Sequence, residues 1–311
     1  MTLRRTFILF LFLLLLAFGG CSSYISRTVL QSFGRMGETI PDPPHKITSP
    51  ILPNAKLAVS WAGHATVLIQ IHDKIILTDP FFTNTLGVVM KRYVMTALDP
   101  ALLPRVDATL ISHIHFDHFS YGSLDMLPKN GILAVPLGAA EYTPEFGFQE
   151  VAELKPWQMI ERDGVKITAV PVQHFTGRYG FDAGWMGSQG YTGYVIQYKE
   201  FTVFFAGDTG YNSEFFKEIG RRFTIDLAII PIAPGSGGGL GSRVHVNPRG
   251  AIAIFKDVGA KYMLPMHFNT LFYGPPGNRS EPINRLHEAA AEQGCVDKVI
   301  VLEMGEQRIL F

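Results

Sequence analysis

The chain has 311 residues, 27 Lys and Arg against 27 Asp and Glu, and 47% hydrophobic residues. Such values exclude a disordered or collagen-like chain and a strongly basic nucleic-acid binder. The 2 cysteines, Cys21 and Cys295, are too few for a disulfide framework or a thiolate metal cluster, so a metal here must be held by nitrogen and oxygen, and the 10 histidines become the residues to follow.

Arg4 and Arg5 precede an almost unbroken apolar run, 7–18, followed by Gly19, Gly20 and Cys21. This order reads as an export signal over 1–20, with an apolar run shorter than the roughly 20 residues that span a bilayer. A cysteine after small residues resembles a bacterial lipobox, with Phe18 where that pattern usually has Leu. A lipoprotein of the bacterial cell envelope, membrane-anchored at Cys21, is therefore expected, against an uncleaved signal anchor or ordinary cleavage. Loss of 1–20 leaves 25 basic and 27 acidic residues, net −2, a poor balance for nucleic acid. Residues 21–54 carry Pro41, Pro43, Pro44, Pro50 and Pro53 and read as a tether, or as an arm packed along the domain.

From residue 55 onward, short apolar segments alternate with Gly, Asp and Pro. Strands are predicted over 57–60, 66–71, 74–77, 108–111, 132–135, 165–170, 193–198, 201–205, 227–230, 262–264, 299–302 and 308–310. Asn247 followed by Pro248 opens a helix that Gly259 ends, and a second helix runs from Pro282 to Gly294. Strands interleaved with helices in both halves predict an α/β fold, two sheets face to face with helices outside, in one catalytic domain over 55–311.

The buried strand at 106–112 runs into His113-Ile114-His115-Phe116-Asp117-His118. Residues at i and i+2 on extended chain point the same way, so His113 and His115 converge on one ion, and Asp117 and His118 are free to serve a second. Imidazole and carboxylate suit Zn²⁺ where no thiolate is available. His174, Asp208 and His267 each follow a further predicted strand, at the end where active sites of α/β folds gather.

The ordered set HxHxDH, H, D, H resembles the metallo-β-lactamase superfamily from about residue 57 onward. The flanking Trp61-Ala62-Gly63-His64-Ala65-Thr66, Leu77-Thr78-Asp79-Pro80, Ala206-Gly207-Asp208-Thr209-Gly210-Tyr211 and His245-Val246-Asn247-Pro248 are similar to its branch of N-acylphosphatidylethanolamine-hydrolysing phospholipases D. The resemblance implies a four-layer αββα sandwich and two Zn²⁺, other divalent metals being alternatives. It implies that His113, His115 and His174 hold one ion, that Asp117, His118 and His267 hold the other, and that Asp208 bridges them. Two ions roughly 3.5–4 Å apart lower the pKa of a shared water toward neutrality, so Ser112 and Ser120 are read as structural.

Asp117 and His245 are the candidate catalytic residues, His245 at substrate or leaving group. His64 and Asp79 are read as orienting the ligands, and His45, His72 and His287 as surface residues. The glycine-rich stretch 235–241 lacks the ending of a phosphate-binding loop and is read as a lip of the site. The expected activity is phosphodiester hydrolysis of the phospholipase D type on N-acylphosphatidylethanolamine or a related phospholipid, with a lactonase or other carbonyl-ester hydrolase on the same two metals as the alternative. The segment 81–103 offers either a lipid-facing rim or an ordinary packed insertion. No nucleic-acid partner is expected, since a basic patch interleaved with aromatics is lacking.

Overall fold

The structure is a computed structural model and describes residues 37–86, 90–234, 239–271 and 281–311. The signal and lipobox at 1–20, Cys21 and the first part of the tether lie outside the described residues. Among the described residues, no helix is long and apolar enough to cross a membrane.

The first sheet is built from β1 (Leu57–Gly63), β2 (Thr66–Ile71), β3 (Lys74–Thr78), β6 (Ala108–Leu110), β7 (Ile132–Pro136), β8 (Glu150–Leu154) and β15 (Gln307–Ile309), in the order β15-β1-β2-β3-β6-β7-β8. β1, β2 and β7 are buried along their whole length, as strands covered on both faces must be, and their sequences are correspondingly apolar. The second sheet comprises β9 (Met159–Arg162), β10 (Val165–Val170), β11 (Gly193–Tyr198), β12 (Phe201–Phe205), β13 (Leu227–Pro231) and β14 (Tyr262–Met266), ordered β14-β13-β12-β11-β10-β9. A small hairpin, β4 (Thr85–Leu86) with β5 (Met90–Lys91), stands apart.

Helices α1 (Tyr121–Asp125) and α2 (Ala183–Met186) are short; α3 (Ser213–Arg222), α4 (Pro248–Asp257) and α5 (Glu281–Glu292) are longer, and α4 packs on α3, α5 and β13. The α4 start behaves as read, with the Asn247 side chain accepting from Gly250 N–H at 3.0 Å. The sandwich is of the metallo-β-lactamase type.

The pairing sets where polar groups gather. β3, β6, β7 and β8 run parallel, as do β12, β13 and β14, while β10 shares their direction across antiparallel β11. Their carboxyl ends meet where the sheets are stitched: Thr192 N–H donates to Ser112 C=O at 2.7 Å, and Tyr194 Oη to Ile111 C=O at 2.8 Å.

Three features differ from the sequence expectation. β8 and β9 are edge strands that carry Glu150, Glu153, Glu161 and Arg162, too polar and too exposed to read as strands. α3 was not anticipated, although Asn212 caps it by accepting from Glu214 and Phe215 N–H. The predicted strand 299–302 reduces to one bridge, Val299 with Met263, beyond the edge of β14.

The proline-rich stretch lies against the domain from its described part onward. Ile47 is buried and its N–H donates to Ala97 C=O at 2.8 Å, and Met95 N–H donates to Pro41 C=O at 2.9 Å. The segment 81–103 is a packed insertion where it is described. Phe81 and Arg92 are fully buried, the guanidinium lying 4.8 Å from the Phe81 ring centroid and donating to the Phe81 and Val94 carbonyls.

Candidate metal centre

Seven side chains singled out in the sequence meet at the carboxyl ends of these strands. The segment after β6 supplies His113, His115, Asp117 and His118. His174 comes after β10, Asp208 after β12 and His267 directly after β14. Ring nitrogens of His113, His115 and His174 lie within 4.8 Å of one another, and so do donor atoms of Asp117, His118, His267 and His64. Asp208 touches both sets: Oδ2 is 3.4 Å from His118 Nε2 and 3.2 Å from His267 Nε2, and a carboxylate oxygen lies within 4.8 Å of a ring nitrogen of His174.

The hydrogen bonds of the rings decide what the pocket can hold. His118 Nδ1 donates to Asp79 Oδ2 at 2.6 Å, His174 Nδ1 to Val244 C=O at 2.9 Å, and His267 Nδ1 to Ala233 C=O at 2.8 Å. Ser112 Oγ gives its proton to Asp79 Oδ2 and therefore accepts from His113 Nδ1 at 2.9 Å. With Nδ1 committed as donor in four rings, each Nε2 faces the pocket as a lone pair or, on His118, holds a proton favoured by the carboxylates. His118 Nε2 and His267 Nε2 are 3.1 Å apart, and His174 Nε2 is 3.3 Å from His115 Nδ1. A proton on His118 Nε2 and one on His115 Nδ1 bridge these pairs; with both removed, two lone pairs held this close repel unless a positive charge stands between them. Buried His113 Nε2, His115 Nε2 and Asp208 Oδ1 have no hydrogen-bond partner, an expensive arrangement that coordination resolves. The donor set, imidazole and carboxylate oriented by outer hydrogen bonds, fits divalent metal.

Electrostatics agree. Burial pushes the imidazoles of His113 and His174 well below the ordinary range, helped by neighbouring imidazoles, and takes His115 down to about 4. Burial works against charge on Asp208, but the imidazoles of His267 and His118 outweigh it and hold the carboxyl well below the usual range. Burial likewise opposes charge on Asp117, yet His118 and His64 hold its carboxyl low. Burial opposes charge on His118 too, but the carboxylates of Asp208, Asp117 and Asp79 outweigh it and raise this imidazole well above the ordinary range. The pocket favours positive charge at its centre and neutral ligands on its wall.

The structure places His64 and Asp79 against the candidate ligands. Asp79, fully buried, accepts from His118 and from both the N–H and the Oγ–H of Ser112, all at 2.6 Å. His64 Nε2 lies 3.2 Å from Asp117 Oδ2, its C=O accepts from Trp61 Nε1 and from His267 N–H, and its N–H donates to Thr270. His64, Asp79 and His267 all have left-handed backbones, a concentration of strain typical of a working site. Ser120 bonds Ser123 and Thr83 rather than a ligand. His245 Nδ1 lies 3.6 Å from Asp208 Oδ2 at the mouth, partly exposed. His45 and His72 pair with Glu303 and Glu200, and His287 is exposed. Of the glycine-rich lip, 235–238 lie outside the described residues.

Sequence reading missed an aromatic rim. Phe175 stacks obliquely on His115 and His174, with ring centroids 4.4 and 4.7 Å away. Phe116, Tyr179, Phe181 and Trp185 continue outward in successive ring contacts of 5.8 to 5.9 Å. Phe181 is 72% and Trp185 66% exposed. Apolar surface at the mouth is thus on 175–185, and four aromatics within eleven residues were the available signal.

The chain's residues 74–268 match the family model described as a beta-lactamase superfamily domain. The chain belongs to this superfamily. It has the metallo-β-lactamase fold. Among its superfamily relatives is an uncharacterized Mycobacterium tuberculosis protein, 31% identical over 76% of this chain, which spans 64% of that protein's length. The N-acyl-phosphatidylethanolamine-hydrolyzing phospholipase D 1 of Caenorhabditis elegans is 29% identical over 85% of this chain and 79% of its own. A metal-dependent hydrolase from Methanopyrus kandleri is 28% identical over 80% and 98%. The solved isothiocyanate hydrolase from Delia radicum gut bacteria shares the fold, with a TM-score of 0.63 at 20% identity over 81% of this chain and 98% of its own.

Proposed function

We propose that the chain is a two-metal phosphodiesterase of the phospholipase D type, acting on N-acylphosphatidylethanolamine or a related phospholipid. The observation that carries the reading is the convergence of two ligand sets on Asp208, with ring nitrogens committed as donors on the outside and as lone pairs within. His113, His115 and His174 would hold one ion, Asp117, His118 and His267 the other, and Asp208 both. Bound there, Zn²⁺ or another divalent pair would supply a water of lowered pKa and positive charge for anionic phosphate oxygens.

The chain's own groups account for the rest. Asp117, held by His64, keeps a carboxylate beside His118 and His267, 3.6 and 3.8 Å from their Nε2 atoms. His245 sits where a proton is needed, at the mouth next to Asp208, with burial keeping its imidazole neutral more readily than in water. The aromatic rim offers apolar surface for acyl chains beside the ligands. An N-terminal lipid anchor at Cys21 in the bacterial envelope would bring that rim to its substrate.

Similarity to the nematode phospholipase supports the phosphodiester substrate, and similarity of the same order to the Methanopyrus hydrolase keeps a lactone or other carbonyl ester as the second reading. Protein lacking residues 1–20, loaded with Zn²⁺, should release phosphatidic acid from N-acylphosphatidylethanolamine vesicles and leave lactones intact. Lactone opening without diester cleavage would overturn the proposal.

A further inference from the structure

Arg178 lies in the loop after His174, outside the ligand set, yet it is buried with only 6% of its surface exposed. Its Nη1 donates to Ile114 C=O at 2.8 Å and to Phe119 C=O at 2.9 Å. These two carbonyls bracket the turn that contains His115, Asp117 and His118, a turn otherwise closed by His118 and Phe119 N–H bonds to His115 C=O. One guanidinium thus joins the two ends of the ligand turn. It is sandwiched by rings, with centroids 4.3 Å away for Phe116, 4.1 Å for Tyr121 and 5.4 Å for Phe119. Asp182 fixes the loop from the other side, accepting from Arg178 N–H at 2.8 Å and Tyr179 N–H at 2.9 Å.

A buried cation with no carboxylate bonded to its guanidinium is costly. Nε finds no hydrogen-bond partner among the described residues, and both bonds of Nη1 go to the one turn whose geometry the metal ligands share. We propose that Arg178 is a positioning residue for the metal centre, setting the spacing of His115, Asp117 and His118 and locking that turn to the loop carrying His174 and the aromatic rim. The planar guanidinium bonds two carbonyls while stacking on two rings, which an ammonium does not reproduce. Arg178 touches no ligand side chain, so its effect passes through backbone placement alone. The inference rests on the metal reading of the site.

The test compares the parent chain with Arg178→Lys and Arg178→Met, with Arg249→Gln, an exposed Arg paired to Glu292, as the control for loss of an arginine. Metal-free proteins are titrated with Zn²⁺ against a chromophoric chelator, and Co²⁺-loaded proteins are compared by visible absorption, which reports ligand geometry independently of turnover. Both Arg178 variants should fold with the parent's far-UV circular dichroism, lose roughly 10- to 100-fold in metal affinity as removal of outer-shell support does, and show a shifted Co²⁺ band, the control matching the parent. Lys should retain more affinity than Met. Parent-like affinity and spectrum in the variants, or a loss of stability alone in the folded fraction, make Arg178 ordinary scaffolding and overturn the proposal. A parent that binds no metal would sink the site reading itself, and this inference with it.

Discussion

Replacing Asp79 by Asn tests how the pocket prepares its ligands. The carboxylate is fully buried and accepts three hydrogen bonds, all at 2.6 Å, from His118 Nδ1, Ser112 N and Ser112 Oγ. The amide keeps the shape and one acceptor oxygen. If that oxygen stays on Ser112 N–H, the new N–H₂ group faces His118 Nδ1, and the hydroxyl can turn to accept from it. His118 then does best as its other tautomer, with Nδ1 accepting and the proton on Nε2. That proton points at His267 Nε2 and Asp208, where a metal lone pair is required. Loss of a charge-assisted bond costs about 1.5–3 kcal/mol, so the urea midpoint of the metal-free variant should fall accordingly. Metal affinity of the Asp117, His118 and His267 set should drop roughly 10- to 100-fold, read by competition with a chelator. Asp79→Asn that binds both ions within twofold of the parent would falsify the tautomer argument.

Three further outcomes follow from the same geometry. Asp208→Ala removes the carboxylate placed between both sets, so metal analysis should find at most one ion per chain, and two retained ions would refute its bridging place. The metal-free protein should lose stability on acidification: His115 titrates near 4 when folded against about 6.5 unfolded, so its contribution, present above 6.5, is lost as the pH falls toward 4. At about 1.4 kcal/mol per pH unit this single group accounts for about 3 kcal/mol, and urea midpoints that rise on acidification would contradict it. Gly210→Ala would place a Cβ 1.9 Å from Arg243 C=O, pushing away the loop whose Val244 C=O orients His174; a cost of about 1–3 kcal/mol in urea unfolding is expected, and a neutral variant would show that this approach is not fixed.

The candidate ligands stood out in the sequence because two-metal chemistry needs such residues in a spacing that the backbone imposes. His113 and His115 alternate on extended chain, and each remaining ligand follows an apolar run that had to be a strand. Asp79 and His64 stood out only through their flanking residues, and their partners, His118 and Asp117, lie 39 and 53 positions away, a pairing no local pattern encodes. Arg178 was invisible for a related reason: a lone Arg in a Gly-containing loop has no periodicity, and its role exists only once the turn at 114–119 is folded against it. The half-exposed edge strands β8 and β9 failed the apolar-run criterion because half their side chains meet water, whereas α3 had caps and charges in the right places and was readable. For 81–103 the sequence left a lipid-facing rim and a packed insertion both open, because hydrophobicity alone does not separate a packed insertion from an exposed mouth, and the aromatic rim on 175–185 was missed.

The two sheets contribute different halves of the centre. His113, His115, Asp117 and His118 follow a strand of the first sheet, and His174, Asp208 and His267 follow strands of the second. Any ion that takes ligands from both halves therefore crosslinks the sheets at the end where their backbones are stitched through Ser112 and Thr192. In the metal-free state that end carries buried, unpartnered nitrogen and oxygen and several left-handed residues, costs that the hydrophobic interior must offset. Because the ligands are assembled only in the folded chain, binding free energy adds directly to folding free energy. Free metal at 100 times its Kd would contribute about 2.7 kcal/mol. The seam between the sheets is consequently the part of the fold most responsive to metal supply: protection of amides from 111 to 118 and from 190 to 194 against hydrogen exchange should rise on loading more than that of the strand centres, which are already held by apolar burial on both faces.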